Sequence, residues 1–426
     1  MLKNADQISK EIKIISTPEE MNPKEISIDS YSYDLDPNKI AQYPLEKRDE
    51  SKLLVYQAGG IRDYLFYEIP DLLPKGSLLV TNNTKVIQAR IVFRKDSGAK
   101  IEIFCLEPYK NNYEQIFNAR GVCEWICMVG NAKRWKGEPL LKSILIAGKN
   151  IQLEAKILHK EEDIFTIKFN WNSNEISFGE LLINGGILPI PPYLNRDTEE
   201  NDKEQYQTTY AKKEGSVAAP TAGLHFTPQT FETLRSMGIE TTELTLHVGA
   251  GTFRPVKAIK MEDHEMHRER IYVSLESLRA IQQALEEGRP VISVGTTSLR
   301  SLESLYWIGV KIIVGKINSD EIDVLQWDPY ELPQHFDPIK AIEAVIMHLV
   351  DNNKQELDGT TQLLIAPGYN FKITNALVTN FHQPGSTLLL LVAAFIGKDW
   401  VAVYNHAVTN DYRFLSFGDA SLLFRN

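Results

Sequence analysis

Cysteine is scarce in this chain of 426 residues, which contains only three. So few thiols exclude a scaffold held together by disulfides, the usual solution of small secreted domains. Cys123 and Cys127 are four residues apart, but position 130 is Gly, where an iron–sulfur cluster of the C-x₃-C-x₂-C type needs a third thiolate. We therefore expect both cysteines to be ordinary core residues.

Long apolar runs are also lacking. The longest, LLLLVAAFI at 388–396, is far shorter than the roughly 20 residues that a membrane-spanning helix needs. The first twenty residues contain no apolar stretch of the signal-peptide kind. Together with the few cysteines, these absences predict a cytoplasmic protein that does not bind a membrane.

Positive charge is in deficit overall, because 46 Lys and Arg face 56 Asp and Glu for a net charge of −10. That balance argues mildly against a general nucleic-acid binder. Two segments, 85–100 and 133–142, are nevertheless basic. They fit either a local patch that docks a phosphate backbone or a solvated strand surface. The basic residues of interest are Arg90, Arg94, Lys95, Lys133 and Arg134.

The order of apolar and turn-forming segments predicts an α/β fold with an insert. Residues 89–172 hold short runs rich in Ile, Val and aromatics without a convincing helix, which predicts an inserted, closed β-barrel domain. Residues 26–88 and 173–426 alternate strand and helix patterns, which predicts a mixed-sheet α/β main domain. Residues 1–25 read as a loose extension, and 310–358 as an insertion without assigned structure.

Polar and Gly-rich turns follow several predicted strands, where active sites of α/β sheets lie. They are VAAPTAGLHFT (217–227), TLHVGAGTFRPV (245–256), VGTTSLRS (294–301) and TNFHQPGST (379–387), together with EDHEMHRE (262–269). The first leads into a predicted helix with Thr227 as N-cap, Pro228 at its first position and Gly238 as terminator.

Three of these turns allow a chemical interpretation. In VGTTSLRS a helix begins directly after a strand, so its free N–H groups and Arg300 suit an anion, although simple capping by Thr explains the hydroxyls equally. In HVGAG a third Gly is missing and Pro255 follows, which disfavours a dinucleotide site; Gly249 and Gly251 permit close backbone approach or a tight turn. The spacing of His264 and His267 is not that of a zinc helix, so we expect no metal site.

Many long motifs occur in the order that is typical of one family. They are PLEKRDESKLLV, NNTKVIQARI, GAKIEI, LPIPPYLNR, YQTTYAKKEGSVAAPTAGLHFT, TLHVGAGTFRPV, EDHEMHRE, VGTTSLRSLES, APGYNFKITNALVTNFHQPGSTLLLLVAAFIG and YRFLSFGDA. Over about residues 30–305 and 360–422 the chain resembles the S-adenosylmethionine:tRNA ribosyltransferase-isomerases of queuosine biosynthesis. That family is described as an α/β domain with an inserted β-barrel.

The resemblance implies a reaction in which S-adenosylmethionine is consumed as a ribosyl donor. Its ribose carbons are transferred to the aminomethyl group of 7-aminomethyl-7-deazaguanine at the tRNA wobble position, giving epoxyqueuosine, adenine and methionine. No metal is implied. We expect a monomer whose barrel contacts the anticodon arm through the basic residues named above.

Such a reaction needs proton transfer, a carboxylate anchor and stacking surfaces. His225, His247, His264 and His267 are candidates for moving protons, and His225 or His247 for the general base, a choice the sequence leaves open. Asp263 and Glu243 are candidates for orienting a histidine or facing the sulfonium. Thr296, Thr297 and Arg300 would hold the carboxylate, and Phe226 and Phe381 would stack on a base. The implied cofactor set is completed by Thr221, Gly223, Gly249, Gly251 and His382.

Several positions depart from the family pattern, namely Thr81, Lys85, Gln88, Ala366 and Gly385. Lys does not replace Arg equivalently at a phosphate contact. These departures leave two alternatives open. One is a paralogue that uses S-adenosylmethionine on a different RNA or amine, and the other is a non-catalytic RNA-binding relative.

Overall fold

The computed structural model describes residues 22–110, 113–249, 258–317 and 322–425. The expected loose extension at 1–25 therefore lies mostly outside the described residues; its last residues form a short 3-10 turn at Pro23–Glu25. The strands are β1 Lys52–Gln57, β2 Gly60–Leu65, β3 Leu78–Asn82, β4 Thr84–Val86, β5 Arg90–Arg94, β6 Lys100–Pro108, β7 Val122–Gly130, β8 Leu140–Ile146, β9 Lys149–Glu161, β10 Ile164–Trp171, β11 Gly186–Ile187, β12 Lys213–Ser216, β13 Glu240–Leu246, β14 Glu269–Ser274, β15 Val291–Val294, β16 Asp323–Val324, β17 Glu356–Thr361, β18 Ala376–Asn380 and β19 Ala420–Phe424. The helices are α1 Ile69–Leu72, α2 Tyr113–Phe117, α3 Phe178–Gly185, α4 Asp202–Gln205, α5 Pro228–Ser236, α6 Leu275–Glu286, α7 Gly295–Ile313, α8 Asp328–Glu331, α9 Pro338–Asp351, α10 Thr387–Ile396 and α11 Trp400–Thr409.

The larger sheet is mixed and has the order β16-β17-β14-β13-β3-β15-β18-β19-β1-β2. Its centre, from β13 to β18, is parallel, whereas β18 runs antiparallel to β19. Strands β3, β15 and β18 are buried along their whole length, as expected for parallel strands covered by helices on both faces. The prediction of a mixed α/β fold is confirmed.

Local sequence signals set the helices that approach the candidate site. Helix α5 begins as predicted, with the Thr227 hydroxyl accepting from Thr230 N and Pro228 at the first position. The chain turns after it at Gly238, whose φ of 76° suits glycine. Helix α7 starts at Gly295 immediately after β15, so its N-terminus lies at the carboxyl edge of the sheet.

The smaller sheet has the order β11-β5-β6-β7-β10-β9-β8 and forms an open half-barrel, so the prediction of a closed barrel is wrong. Among the described residues no backbone pairing joins the edge strands β8 and β11. Helix α3 fills the opening with three buried apolar side chains, and Ile144 of β8 packs where a side chain at Gly185 would stand. Side-chain packing therefore replaces the missing strand pair.

The core of the half-barrel agrees only partly with the sequence interpretation. Cys105, Cys123 and Cys127 are all buried in it, which confirms the prediction for the two closely spaced cysteines. The short helix α2, in contrast, lies between β6 and β7, where no helix was predicted.

Residues 310–358, an insertion without assigned structure in the sequence, are built into the main domain wherever the structure describes them. They include the end of α7, β16, α8 and α9, and β17 follows as a neighbour of β14 in the larger sheet. Helix α9 lies so close to α7 that a Cβ at Gly309 would be 2.1 Å from the carbonyl oxygen of Ala341.

The longest apolar run of the sequence continues into a second helix. By length and composition alone, Thr387–Thr409 would be long enough to cross a membrane, but more than half of its most apolar window is buried. The two helices α10 and α11 are separated by a turn at Gly397, whose φ is 63°. Leu389 and Leu390 are completely buried, as in a core helix.

Candidate active site

A partly open cavity of about 530 Å³ lies beyond the carboxyl ends of β15 and β18. This volume falls in the range of roughly 300–1,000 Å³ that small-molecule sites occupy. Its walls come from the start of α7, the loop after β18, the segments 218–222 and 264–269, and residues 363–365. The predicted site residues that line it are Thr221, His264, His267, Thr296, Thr297, Arg300, Phe381 and His382.

One end of the cavity suits an anion. Helix α7 has 19 residues and no side-chain cap at Val294, so its first N–H groups and its dipole are directed at the cavity. The Arg300 side chain is only 9% exposed, and its Nη2 has no hydrogen-bond partner within the described chain. Buried donors without partners are rare, so the start of α7 and Arg300 suit a carboxylate or phosphate at this end.

Glu269 holds Arg300 in place. Arg300 Nη1 donates to Glu269 Oε2 in a buried ion pair, and Arg300 Nε donates to Leu363 O at 3.2 Å. The other Glu269 oxygen accepts from Gly249 N at 3.3 Å. Two of the three guanidinium nitrogens are thus engaged, and Nη2 is buried without a partner in the described chain.

His225 lies outside the cavity wall, but a hydrogen bond from Asn380 connects it to that wall. Its Nδ1 is 2.8 Å from Ser51 Oγ, and Asn380 Nδ2 donates to its Nε2 at 3.2 Å. Asn380 Oδ1 in turn accepts from Thr221 Oγ1 at 3.0 Å, and both of these residues line the cavity. Burial lowers the pKa of His225 to about 4, so the ring is neutral near pH 7.

His247 also lies away from the cavity, at the junction of the two sheets. Its Nδ1 is 2.8 Å from Thr84 Oγ1 and its ring packs 4.7 Å from that of Tyr113. Burial, then the positive charges of Lys213 and Arg270, lower its pKa to about 3. Neither of the two histidines predicted as general base therefore borders the cavity.

His264 and His267 lie on an extended loop that does border it. Gln326 fixes this loop by donating to His264 O at 2.7 Å and accepting from Met266 N at 2.8 Å. Burial, and next the neighbouring His267, lower the pKa of His264. Asp263 is exposed at the start of the same loop and does not line the cavity.

His382 and Phe381 form the wall that follows β18. His382 Nε2 is 2.9 Å from Thr379 Oγ1, and its backbone N–H donates to Tyr404 Oη at 3.1 Å. Burial lowers the pKa of His382 to about 4. Phe381 packs edge-on against Tyr404 with ring centroids 5.6 Å apart, which leaves it a wall residue with 1% exposure.

Two other predicted binding residues are placed in the protein interior. Gly223 makes room for a tyrosine, because a Cβ there would lie 2.0 Å from Tyr210 Oη. Phe226 is completely buried between Phe66 and Phe231, at centroid distances of 4.9 and 5.3 Å. Gly249 is next to the cavity residue Val248 without lining the cavity, and the predicted Gly251 lies outside the described residues.

Sequence reasoning missed Asn380, Thr379 and Glu269. All three lie within or beside the quoted turns, but only their partners reveal their positions. Asn380 immediately precedes Phe381 in the turn after β18, and Glu269 ends EDHEMHRE. For Asn380, the sequence signal that could have indicated a site residue was a polar side chain at the last position of a buried strand.

Four of the five basic residues gather on the half-barrel. Lys95 lies in the β5–β6 turn and donates to the backbone oxygen of Arg134 at 2.9 Å, next to Lys133, and Arg94 is exposed at the end of β5. Lys95 also pairs with Glu138. Arg90, at the other end of β5, lies apart from them, with Nη2 3.5 Å from Thr198 Oγ1.

The positions that depart from the family pattern are structurally accommodated. Thr81 is buried in β3, and Lys85 forms an ion pair of 2.9 Å with Glu214. Ala366 is buried, and its N–H donates to Tyr330 Oη at 3.3 Å. Glu243, the other suggested orienting acid, pairs with Lys212 outside the cavity at 2.7 Å. The described residues contain no group of three or more His, Cys, Asp or Glu placed to hold a metal ion.

An α/β sheet with a cavity at its carboxyl edge and a helix N-terminus without a side-chain cap in the wall has the form of an enzyme site for a small molecule that carries an anionic group. The chain belongs to the family described as "Queuosine biosynthesis protein", whose model matches residues 28–423.

Curated relatives agree with this assignment. A protein of Legionella pneumophila (strain Lens) named S-adenosylmethionine:tRNA ribosyltransferase-isomerase is 38% identical over 396 residues, covering 92% of this chain and 98% of that protein. Proteins of the same name from Treponema denticola and Thermotoga maritima are 35% and 38% identical, over 92% and 93% of this chain. A crystal structure of S-adenosylmethionine tRNA ribosyltransferase from Thermotoga maritima aligns with 92% of this chain and 99% of that one, at 31% identity and a TM-score of 0.45.

Proposed function

We propose that this protein is an S-adenosylmethionine:tRNA ribosyltransferase-isomerase. It transfers and isomerises the ribosyl moiety of S-adenosylmethionine onto 7-aminomethyl-7-deazaguanine at the tRNA wobble position, and epoxyqueuosine-tRNA, adenine and methionine are the products. The observation that carries the proposal is the cavity with an anion-binding end, in a chain whose relatives of that name match over at least 92% of its length.

The cavity suits S-adenosylmethionine in size and chemistry. Its anionic end, formed by the start of α7 and Nη2 of Arg300, would hold the amino-acid carboxylate. Thr221 and Asn380 present hydrogen-bonding groups on another wall, and apolar residues such as Leu363 and Leu391 complete it. A largely apolar pocket with a few fixed polar groups is the general form of a small-molecule site.

The chemistry requires a base near the carbon beside the sulfonium. His264 and His267 line the cavity, whereas His225 and His247 do not. Nε2 of His382, the remaining cavity histidine, is engaged with Thr379. We therefore assign proton transfer to the loop that carries His264 and His267, and a supporting role to His225.

The RNA contact proposed for this protein is electrostatic. The cluster formed by the exposed Arg94, Lys133 and Arg134 around the half-buried Lys95 on the half-barrel would bind phosphates of the anticodon arm, as cations do in nucleic-acid complexes. We propose that the protein acts as a monomer in the cytoplasm, where its tRNA substrate is found.

The proposal is tested with S-adenosylmethionine labelled in the ribose and tRNA that carries the aminomethyl precursor base. Stoichiometric adenine and methionine with label in the tRNA are expected. The same tRNA with unmodified guanine at the wobble position is the control and should remain unlabelled. Binding of S-adenosylmethionine without label transfer to the precursor tRNA would contradict the proposed acceptor and favour a different RNA or amine.

A further inference from the structure

A second, open cleft of about 840 Å³ lies on the surface of the main domain. It is bounded by residues 46–49, the segment 203–211, Lys85 of β4 and the start of α5, and it shares no lining residue with the cavity. Residues 46–49 and 207–211 belong to the motifs PLEKRDESKLLV and YQTTYAKKEG. None of these residues lines the cavity.

The cleft and the cavity are neighbours. A gap of about 20 Å³ between them is lined by Arg48, which also lines the cleft, and by Ser416, which also lines the cavity. His225 borders this gap as well. A space of that size holds about one water molecule, so only a thin layer of protein separates the two sites.

Charges of both signs border the cleft. Lys47, Lys85 and Lys203 are exposed or half-buried cations in surface ion pairs with Glu50, Glu214 and Glu200, weak pairs that a phosphate can replace. Arg48 is fixed by hydrogen bonds to Gln207 O at 2.7 Å and Glu204 O at 2.9 Å. The carboxylates are those of Glu46, Asp49 and Glu204. Such a mixture fits a ligand that is anionic at one end and cationic at the other.

Two polar groups at the cleft have unused hydrogen-bonding capacity. Thr208 is 5% exposed, and its hydroxyl has no hydrogen-bond partner within the described chain. Asp49 is half-buried and accepts from Thr227 Oγ1 through Oδ2 at 3.1 Å. That bond fixes the carboxylate next to the N-terminus of α5 and uses only one of its two oxygens.

We propose that this cleft binds the acceptor nucleotide, a purine-like nucleotide whose base carries a primary amine. The Asp49 carboxylate and the Thr208 hydroxyl bind the base and its ammonium group, and Lys47, Lys85 and Lys203 bind the flanking phosphates. This site rests on the proposed function for the identity of its ligand. It differs from the cavity, which would hold the ribosyl donor.

The test compares the affinity of the protein for two tRNAs that differ only at the wobble base, which is either the aminomethyl precursor or guanine. The wild type is expected to bind the precursor tRNA more tightly. Asp49→Asn keeps an acceptor oxygen but removes the charge, and should abolish this preference with a loss of about 10- to 100-fold for the precursor tRNA. S-adenosylmethionine affinity should stay within about twofold.

Glu232→Gln is the matched control, because Glu232 is exposed on α5 beside the cleft and does not line it. Its preference for the precursor tRNA over the guanine tRNA should equal that of the wild type. An undiminished preference in Asp49→Asn, or an equal loss in Glu232→Gln, would overturn the proposal. Because binding is measured without turnover, failure of the cleft is distinguishable from failure of the proposed reaction.

Thr208→Val is a second variant, chosen because it should fold even if Asp49→Asn does not. Removing a buried hydroxyl without a partner should leave thermal stability unchanged or higher, while precursor tRNA affinity falls about three- to tenfold. Unchanged affinity in both Thr208→Val and Asp49→Asn would exclude the cleft as the acceptor site.

Discussion

Asn380 Nδ2 donates a hydrogen bond to Nε2 of His225 at 3.2 Å, and this bond connects the two strand-end turns that hold the predicted site. With Ser51 at Nδ1, both ring nitrogens of His225 are engaged. The histidine therefore orients an amide on the cavity wall, and through it the hydroxyl of Thr221. These bonds support the positioning role that we propose for His225.

Replacing His225 should affect binding more than chemistry. In His225→Ala, the KM for S-adenosylmethionine is expected to rise about tenfold, because Asn380 and Thr221 lose their fixed orientation. Adenine release at saturating S-adenosylmethionine should fall by less than about tenfold, below the roughly 10²–10⁴ expected for a general base. Single-turnover assays across pH measure both. Loss of an ionisation from the pH–rate profile would instead identify His225 as the base.

The loop histidines should show the opposite behaviour. His264→Gln or His267→Gln is expected to slow single-turnover adenine release by about 10²–10⁴, because these side chains line the cavity. The binding constant of S-adenosylmethionine, measured by calorimetry, should change much less. His159→Gln, on an exposed position of β9, serves as control. Losses below about tenfold in both loop variants would contradict the assignment.

The turn that holds Gly223 provides a test by double substitution. Gly223→Ala should destabilise the protein by about 1–3 kcal/mol, since its Cβ would lie 2.0 Å from Tyr210 Oη. Tyr210→Phe removes this oxygen, which has no hydrogen-bond partner in the described chain. On its own, this substitution should leave the free energy of unfolding nearly unchanged. In urea unfolding, the double variant should therefore lose less unfolding free energy than the sum of the losses in the two single variants. If the two losses were additive, the close approach of the tyrosine oxygen would not be the reason that position 223 requires glycine.

Features encoded by neighbouring residues were predictable from the sequence. Thr227, Pro228 and Gly238 define α5 through capping geometry within one segment. The buried strands β3 and β15 follow from their apolar composition. The turns rich in Gly and His indicated the correct edge of the sheet, and eight predicted residues do line the cavity.

Pairings between distant segments could not be predicted in this way. His225 and Asn380 are 155 positions apart, and no local pattern states that they meet. Gly223 was predicted as a binding residue from its place in a Gly-rich turn, but the space beside it is taken by Tyr210, a residue 13 positions earlier. Closure of the half-barrel likewise depended on whether α3 or a strand pair fills the opening.

Stability should fall in mild acid because of the buried histidines. The folded-state pKa of His225 is about 4 and that of His247 about 3, both lowered by burial from 6.5. Below pH 6.5 the unfolded chain takes up protons that the folded protein excludes, so the stabilisation present above pH 6.5 is lost as the pH falls. Each residue should cost about 1.4 kcal/mol per pH unit between pH 6.5 and its folded-state pKa.

Urea unfolding at pH 6.5 and pH 5 measures this loss. In His225→Gln, the decrease in unfolding free energy over this interval should be about 2 kcal/mol smaller than in the wild type. His159→Gln, at an exposed position, should retain the wild-type pH dependence. An identical dependence in His225→Gln would show that this ring is protonated as easily in the folded protein as in the unfolded chain.

The basic cluster on the half-barrel should determine the salt dependence of tRNA binding. Lys133 and Arg134 are exposed on one turn, so Lys133→Glu with Arg134→Glu should weaken binding without unfolding the domain. Every phosphate that the double variant no longer neutralises should lower the magnitude of the slope of log K against log salt concentration by about 0.7–0.9.

Lys398→Glu, at an exposed position of the main domain after α10, is the control. If filter binding over a salt series gave the same affinity and slope for the double variant, the wild type and the control, the anticodon arm would have to bind another surface. A reduced slope confined to the double variant would place the phosphates on the half-barrel, because counterion release depends on how many phosphates the protein neutralises.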